Sequence, residues 1–163
     1  MWMELIQPFL SAADAVLSDA LAGPVSVSEI TMEEEAYRRR ALAVMIEISG
    51  DIEGRVIFDV EEPVAAHFAA GLTGESEPPA DPELLREATA ELANLVIGNA
   101  VTALNDQGFR FKVHPPVHHS AEEGFRGSED AEALVMDFSS ATGSVHMNVV
   151  MRYNRRRRAD ATL

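Results

Sequence analysis

Apolar residues recur along this chain at two different spacings, helical in some stretches and alternating in others. Over residues 4–21, Leu5, Phe9, Ala13, Val16 and Leu17 share one side of a predicted helix. Pro8 falls near its first turn, where a missing N–H is tolerated, and Gly23-Pro24 ends it. Residues 25–32 alternate through Val25, Val27 and then Ile30, a strand with an irregularity at Ser28-Glu29. The runs Glu33-Glu34-Glu35 and Arg38-Arg39-Arg40 flank a turn or an extended hairpin. Leu42, Val44, Ile46 and Ile48 alternate cleanly within residues 41–49, and residues 55–60 repeat that period. Residues 50–54, bounded by Gly50 and Gly54, predict the hairpin loop between them.

Residues 61–72 read as a short helix with Pro63 in its first turn and Gly71 as its terminator. A loop over residues 73–80 leads to Asp81-Pro82, an N-cap followed by proline at the first helical position. The helix it starts should run to Asp106 and stop at Gly108, roughly 39 Å at 1.5 Å per residue. Leu85, Leu92, Val96, Ala100 and Ala103 form its core-facing stripe. Phe109, Phe111 and Val113 begin a strand that Pro115-Pro116 ends or leaves at an edge. Residues 120–130 are polar and carry two glycines, a predicted mobile loop. Two more strands follow, residues 133–139 and 144–153, joined through Ala141-Thr142-Gly143. The sum is an α/β fold: a mainly antiparallel sheet of about six strands flanked by three helices, one of them long. The Val25, Leu42 and Arg55 segments are expected in one half of the sheet. The Phe109, Ala133 and Ser144 segments are expected in the other. No internal repeat is evident.

Composition narrows the function. The 163 residues are 47% apolar, enough for a real core and against disorder, so residues 1–154 are expected to form a single domain. The net charge is −14 although residues 155–158 are four arginines, so the remainder stands at −18. Such a body repels phosphate backbones, which argues against nucleic acid, and residues 155–163 are expected to be a solvated basic tail. No run reaches a membrane span, the N-terminus lacks a basic signal region, and there is no cysteine, all consistent with the cytoplasm. His114, His118 and His119 lack the cysteine or well-spaced carboxylate that would complete a zinc set, so no metal site is expected. Met136, Met147 and Met151 sit at strand positions as core filler. No Ser-His-Asp set and no glycine-rich phosphate loop is visible.

The most informative stretch is Glu-Leu-Ala-Asn-Leu-Val-Ile-Gly-Asn-Ala-Val-Thr, residues 91–102. Glu91 and Asn94 project from nearly the same side of the long helix, opposite its apolar stripe. A bare Glu-x-x-Asn is ordinarily solvated surface. Asn, however, is a poor residue for a helix interior, and Gly98 on the same face costs about 1 kcal/mol relative to Ala. Without a side chain there, a partner can come close. A carboxylate and an amide displayed on such a face suit insertion into another protein's site better than construction of a pocket.

These residues resemble the helix signature of the CheC/CheX family of chemotaxis phosphatases: Asp or Ser, three residues, Glu, two residues, Asn, about twenty-one residues, Pro. Glu91 and Asn94 fill the central pair, and Pro116 follows after twenty-one residues with Pro115 beside it. Glu87 stands where the family has Asp or Ser. The motif occurs once, which looks more like CheX than CheC. The resemblance implies a CheX-like fold and an aspartyl-phosphate phosphatase acting on a phosphorylated CheY-like response regulator. It implies that Asn94 positions the attacking water and that Glu91 pairs with the regulator's active-site Lys. Glu87, Gly98, Pro115 and Pro116 would face the partner. The regulator would supply Mg²⁺, with no cofactor bound by this chain. A homodimer is implied, with residues 41–49 and 144–153 as candidate edge strands. The alternative is a catalytically inactive regulator-binding or dimerisation module.

Overall fold

The computed structural model describes residues 3–21, 23–27, 31–33, 42–74, 81–118 and 133–153. Its elements are α1 (Met3–Ala20), β1 (Ser26–Val27), β2 (Thr31–Glu33), β3 (Leu42–Gly50), β4 (Ile52–Val60) and α2 (Glu62–Thr73), then α3 (Pro82–Asp106), β5 (Phe111–Val113), β6 (Val117–His118), β7 (Ala133–Ser139) and β8 (Ser144–Tyr153). Among the described residues all strand pairings are antiparallel. The expected segment at residues 25–32 is two short strands, β1 and β2, with residues 28–30 outside those described. The charged runs after Glu33, the loop at residues 120–130, His119 and the four arginines also lie outside the described residues.

Among the described residues the sheet has eight strands in the order β1-β7-β8-β4-β3-β5, with β2 also on β7 and β6 also on β3. The expected division into halves fails at both ends. The segment after α1 crosses over to pair with β7, and the segment after α3 crosses to pair with β3. The β3–β4 and β7–β8 hairpins meet through β4 and β8, centred near Val56↔Val149. Helix, two short strands and long hairpin thus occur twice, related by an approximate two-fold between β4 and β8. The helices bear this out. When Leu85 is laid on Leu5, buried Phe9, Ala12, Ala13 and Leu17 fall on buried Thr89, Leu92, Ala93 and Ile97. Four exposed positions coincide as well, Gln7, Ser11, Asp14 and Ala15 falling on Glu87, Glu91, Asn94 and Leu95, whereas buried Ile6 falls on exposed Arg86. The topology also corrects the expected dimer edges. β8 lies between β7 and β4, while β3 is flanked by β4 on one side and β5 and β6 on the other.

The core joins α1, α2 and α3 to one face of the sheet through Val44, Ile46, Phe58, Met136, Met147 and Val149 among others. Met136, Met147 and Met151 are indeed buried. On α3, Leu85, Leu92, Val96 and Ala100 are buried as expected, but the buried face ends at Leu104 and Ala103 is half-buried. A helix lying on a twisted sheet turns its contact face along its length.

Two glycines, Gly74 and Gly54, have conformational roles. α2 runs through Gly71 and ends at Gly74, whose φ of 74° and N–H bonded to Ala70 O (2.9 Å) make the left-handed cap. The β3–β4 turn is tighter than expected, with only Asp51 between the strands, and Gly54 lies inside β4. A Cβ at Gly54 would stand 1.9 Å from Val150 O, so this glycine admits the close approach of β8.

Candidate functional site

Asp81 opens α3 by accepting a hydrogen bond from Glu83 N at 3.0 Å, with Pro82 behind it. Nine residues, from Leu85 to Leu104, then bury one side of the helix, which holds the opposite side in place. On that opposite side Glu87, Glu91, Asn94, Gly98 and Thr102 are all exposed. Among the described residues no hydrogen bond or ion pair engages the Glu91 carboxylate or the Asn94 amide. A Cβ at Gly98 would meet nothing within 4 Å, so nothing in the described chain uses the space that glycine leaves. The two hydroxyls on the helix are satisfied internally: Thr102 Oγ1 donates to Gly98 O (3.0 Å), and buried Thr89 Oγ1 to Leu85 O (2.7 Å). The free functional groups of this face are therefore carboxylates and one amide.

The proline segment lies between β5 and β6. Pro115 is exposed and Pro116 half-buried, and they lead into β6, which pairs Val44↔His118 and Met45↔Val117. The His118 pKa is lowered, chiefly by partial burial and further by Arg86, with Glu83 opposing. His114 Nε2 hydrogen-bonds Ser49 Oγ at 2.9 Å. Among the described residues no three His, Asp or Glu side chains gather as a metal set.

A second polar group was not anticipated. On the sheet face away from the helices, Arg55 Nη1 donates to Asn148 Oδ1 at 2.9 Å, and burial lowers the Arg55 pKa. Beside it Asp59, His146 and Asp137 align across β4, β8 and β7, with His146 Nδ1 bonded to Asp137 Oδ1. Asp59 is fully buried, and among the described residues Asn148 Nδ2 has no hydrogen-bond partner. The alternation of β4 carried the signal, since Arg55, Ile57 and Asp59 must share a face. This row ties the two hairpins together.

A long helix laid over a twofold-repeated antiparallel sheet is a fold that recurs among solved structures. A CheC-like superfamily protein from Shewanella sp. PV-4 shares the fold with a TM-score of 0.78 and 22% identity, covering 93% of this chain and 99% of that one. Chemotaxis protein CheX from Vibrio vulnificus gives 0.76 and 22%, covering 91% and 99%. The CheX-CheY-BeF3-Mg²⁺ complex from Borrelia burgdorferi gives 0.68 and 29%, covering 90% and 97%. Residues 42–139 match the family described as chemotaxis phosphatase CheX. The chain belongs to the CheX chemotaxis phosphatase family. No curated protein sequence matches it significantly. The α1 face opposite the same sheet carries Ser11 and Asp14 in place of Glu91 and Asn94, so the acid–amide pair is present once. Among the described residues no helix is long and apolar enough to cross a membrane.

Proposed function

We propose that this chain is an aspartyl-phosphate phosphatase that docks α3 against the active site of a phosphorylated CheY-like response regulator in the cytoplasm. The observation that carries the reading is the exposure of Glu91 and Asn94 on one face of a well-anchored helix, with neither side chain engaged among the described residues. Membership of the CheX family and the relative solved together with CheY and Mg²⁺ support it.

The reaction needs little from this chain beyond placement. The regulator contributes the acyl phosphate, its Mg²⁺ and a lysine, so no cofactor is held here. Asn94 would hold a water in line with phosphorus through its amide. The water oxygen bonds to phosphorus as the bond to the aspartyl oxygen breaks, regenerating the carboxylate and releasing dihydrogen phosphate that carries both of the water's protons. An amide is no base, but phosphoryl transfer depends mainly on positioning and charge stabilisation. Glu91 would pair with the regulator's lysine, a charge-assisted contact within a partly dry interface. Pro115 and Pro116 would shape the partner-facing loop, and Glu87 would add a second carboxylate one turn from Glu91. The active species is proposed to be a homodimer.

Phosphate release from an acetyl-phosphate-charged regulator tests this. The wild-type chain should accelerate release about a hundredfold, on the order of 3 kcal/mol. Asn94→Ala should remove most of that with docking nearly intact, because a positioning group acts chiefly in the transition state. Glu91→Ala should weaken docking and rate together. Full activity in Asn94→Ala would sink the reading. Glu87, where the family has Asp or Ser, favours one other outcome, a regulator-binding module without catalysis. Regulator binding by the wild-type chain with no phosphate release would select it.

A further inference from the structure

Leu95 is the large apolar side chain that α3 leaves in solvent, at 42% exposure. Scattered exposed leucines are ordinary, so exposure alone decides nothing. Its position and its internal counterpart do. Leu95 adjoins Asn94, follows Glu91 by one helical turn and precedes Gly98 by three residues, beside the open space that glycine leaves. In the matching burial pattern of α1 its place is taken by Ala15, which is exposed in the same way. A helix with this packing on this sheet therefore does not require leucine there. The leucine accompanies the acid–amide pair on α3, and where Ser11 and Asp14 replace that pair only the methyl group of Ala15 stands in its place.

Resting on the phosphatase reading, we propose that Leu95 is the apolar anchor of the docking face. It would seat in an apolar hollow beside the acyl phosphate on the regulator's active-site surface, setting affinity and leaving chemistry to Asn94. Charge favours this occupant. Glu87 and Glu91, on a chain of net charge −14, suit a partner site that presents a lysine ammonium. An exposed ion pair contributes little while water screens it. An apolar side chain that closes over the contact excludes that water, so Leu95 strengthens the Glu91 pairing as well as burying its own surface.

The test is steady-state phosphate release from the charged regulator, resolved into KM and kcat, with wild type, Leu95→Ala, Leu95→Asp, Leu95→Met and Ala15→Leu. Leu95→Ala should raise KM roughly tenfold with kcat nearly unchanged, Leu95→Asp more, and Leu95→Met should restore KM. Ala15→Leu should change neither constant, and thermal melting should confirm that every variant folds. An unchanged KM in both Leu95→Ala and Leu95→Asp, with an active wild type, overturns the anchor alone. So does a fall in kcat at constant KM. A wild type that releases no phosphate overturns the phosphatase reading instead. The anchor is then judged by titrating the regulator directly: weaker binding by Leu95→Ala supports it, and equal binding overturns it.

Discussion

Gly98→Ala separates what α3 needs for its own stability from what a docked partner needs. Position 98 lies in the interior of the helix, exposed, and an added Cβ meets nothing within 4 Å. Alanine there should stabilise the fold by about 1 kcal/mol, since glycine loses more backbone entropy on becoming helical. For a chain of this size that corresponds to a rise in Tm of about 2–4 °C. The same methyl group occupies the bare patch one turn from Asn94. Moving a docked regulator outward by about 1 Å is enough to cost on the order of a hundredfold in rate, because water alignment depends steeply on distance. The expected result is a protein that is more stable yet at least tenfold slower, a combination that damage to the fold cannot produce. Gly71→Ala on α2 is the control. It too meets nothing within 4 Å, so it should stabilise slightly and leave activity alone. Thermal denaturation and phosphate release on the same preparations supply both readouts. A stabilised Gly98→Ala with full activity would show that the glycine does not serve close approach. A destabilised one would refute the reading of open space around it.

Two further outcomes follow from the sheet. Gly54→Ala should destabilise by about 3–5 kcal/mol, because its Cβ would lie 1.9 Å from Val150 O and β4 and β8 must part to admit it; a denaturant midpoint equal to wild type would contradict this. The proposed homodimer should appear in light scattering at about twice the 17.7 kDa chain mass, and a monomer at micromolar concentration would remove it.

What the sequence carried by itself is the local order of the chain. Helical and alternating periods are written residue by residue, so α1, α3 and the long strands β3, β4, β7 and β8 could be read directly, and Asp81-Pro82 marked the start of α3. The chemistry of the candidate site was legible for the same reason. Glu91, Asn94 and Gly98 share a face by helical geometry alone, and the spacing to Pro116 carried the family resemblance. Two glycines were misplaced because local composition cannot separate equivalent candidates. Gly71 and Gly74 both look like terminators, and only the left-handed φ at Gly74 distinguishes them. Gly54 looked like a loop residue until β8 was seen to press against it. Tertiary structure alone decided that the short strands cross to the opposite hairpin, that β3 and β8 are not edges, and that α1 and α3 are internal counterparts. It also decided that the Glu91–Asn94 face is left open and that Arg55 and Asn148 meet across the sheet. Pairing partners and solvent exposure are set by which surfaces meet after the chain has closed on itself. That energy belongs to contacts between distant segments, and no short window of sequence contains both sides of such a contact.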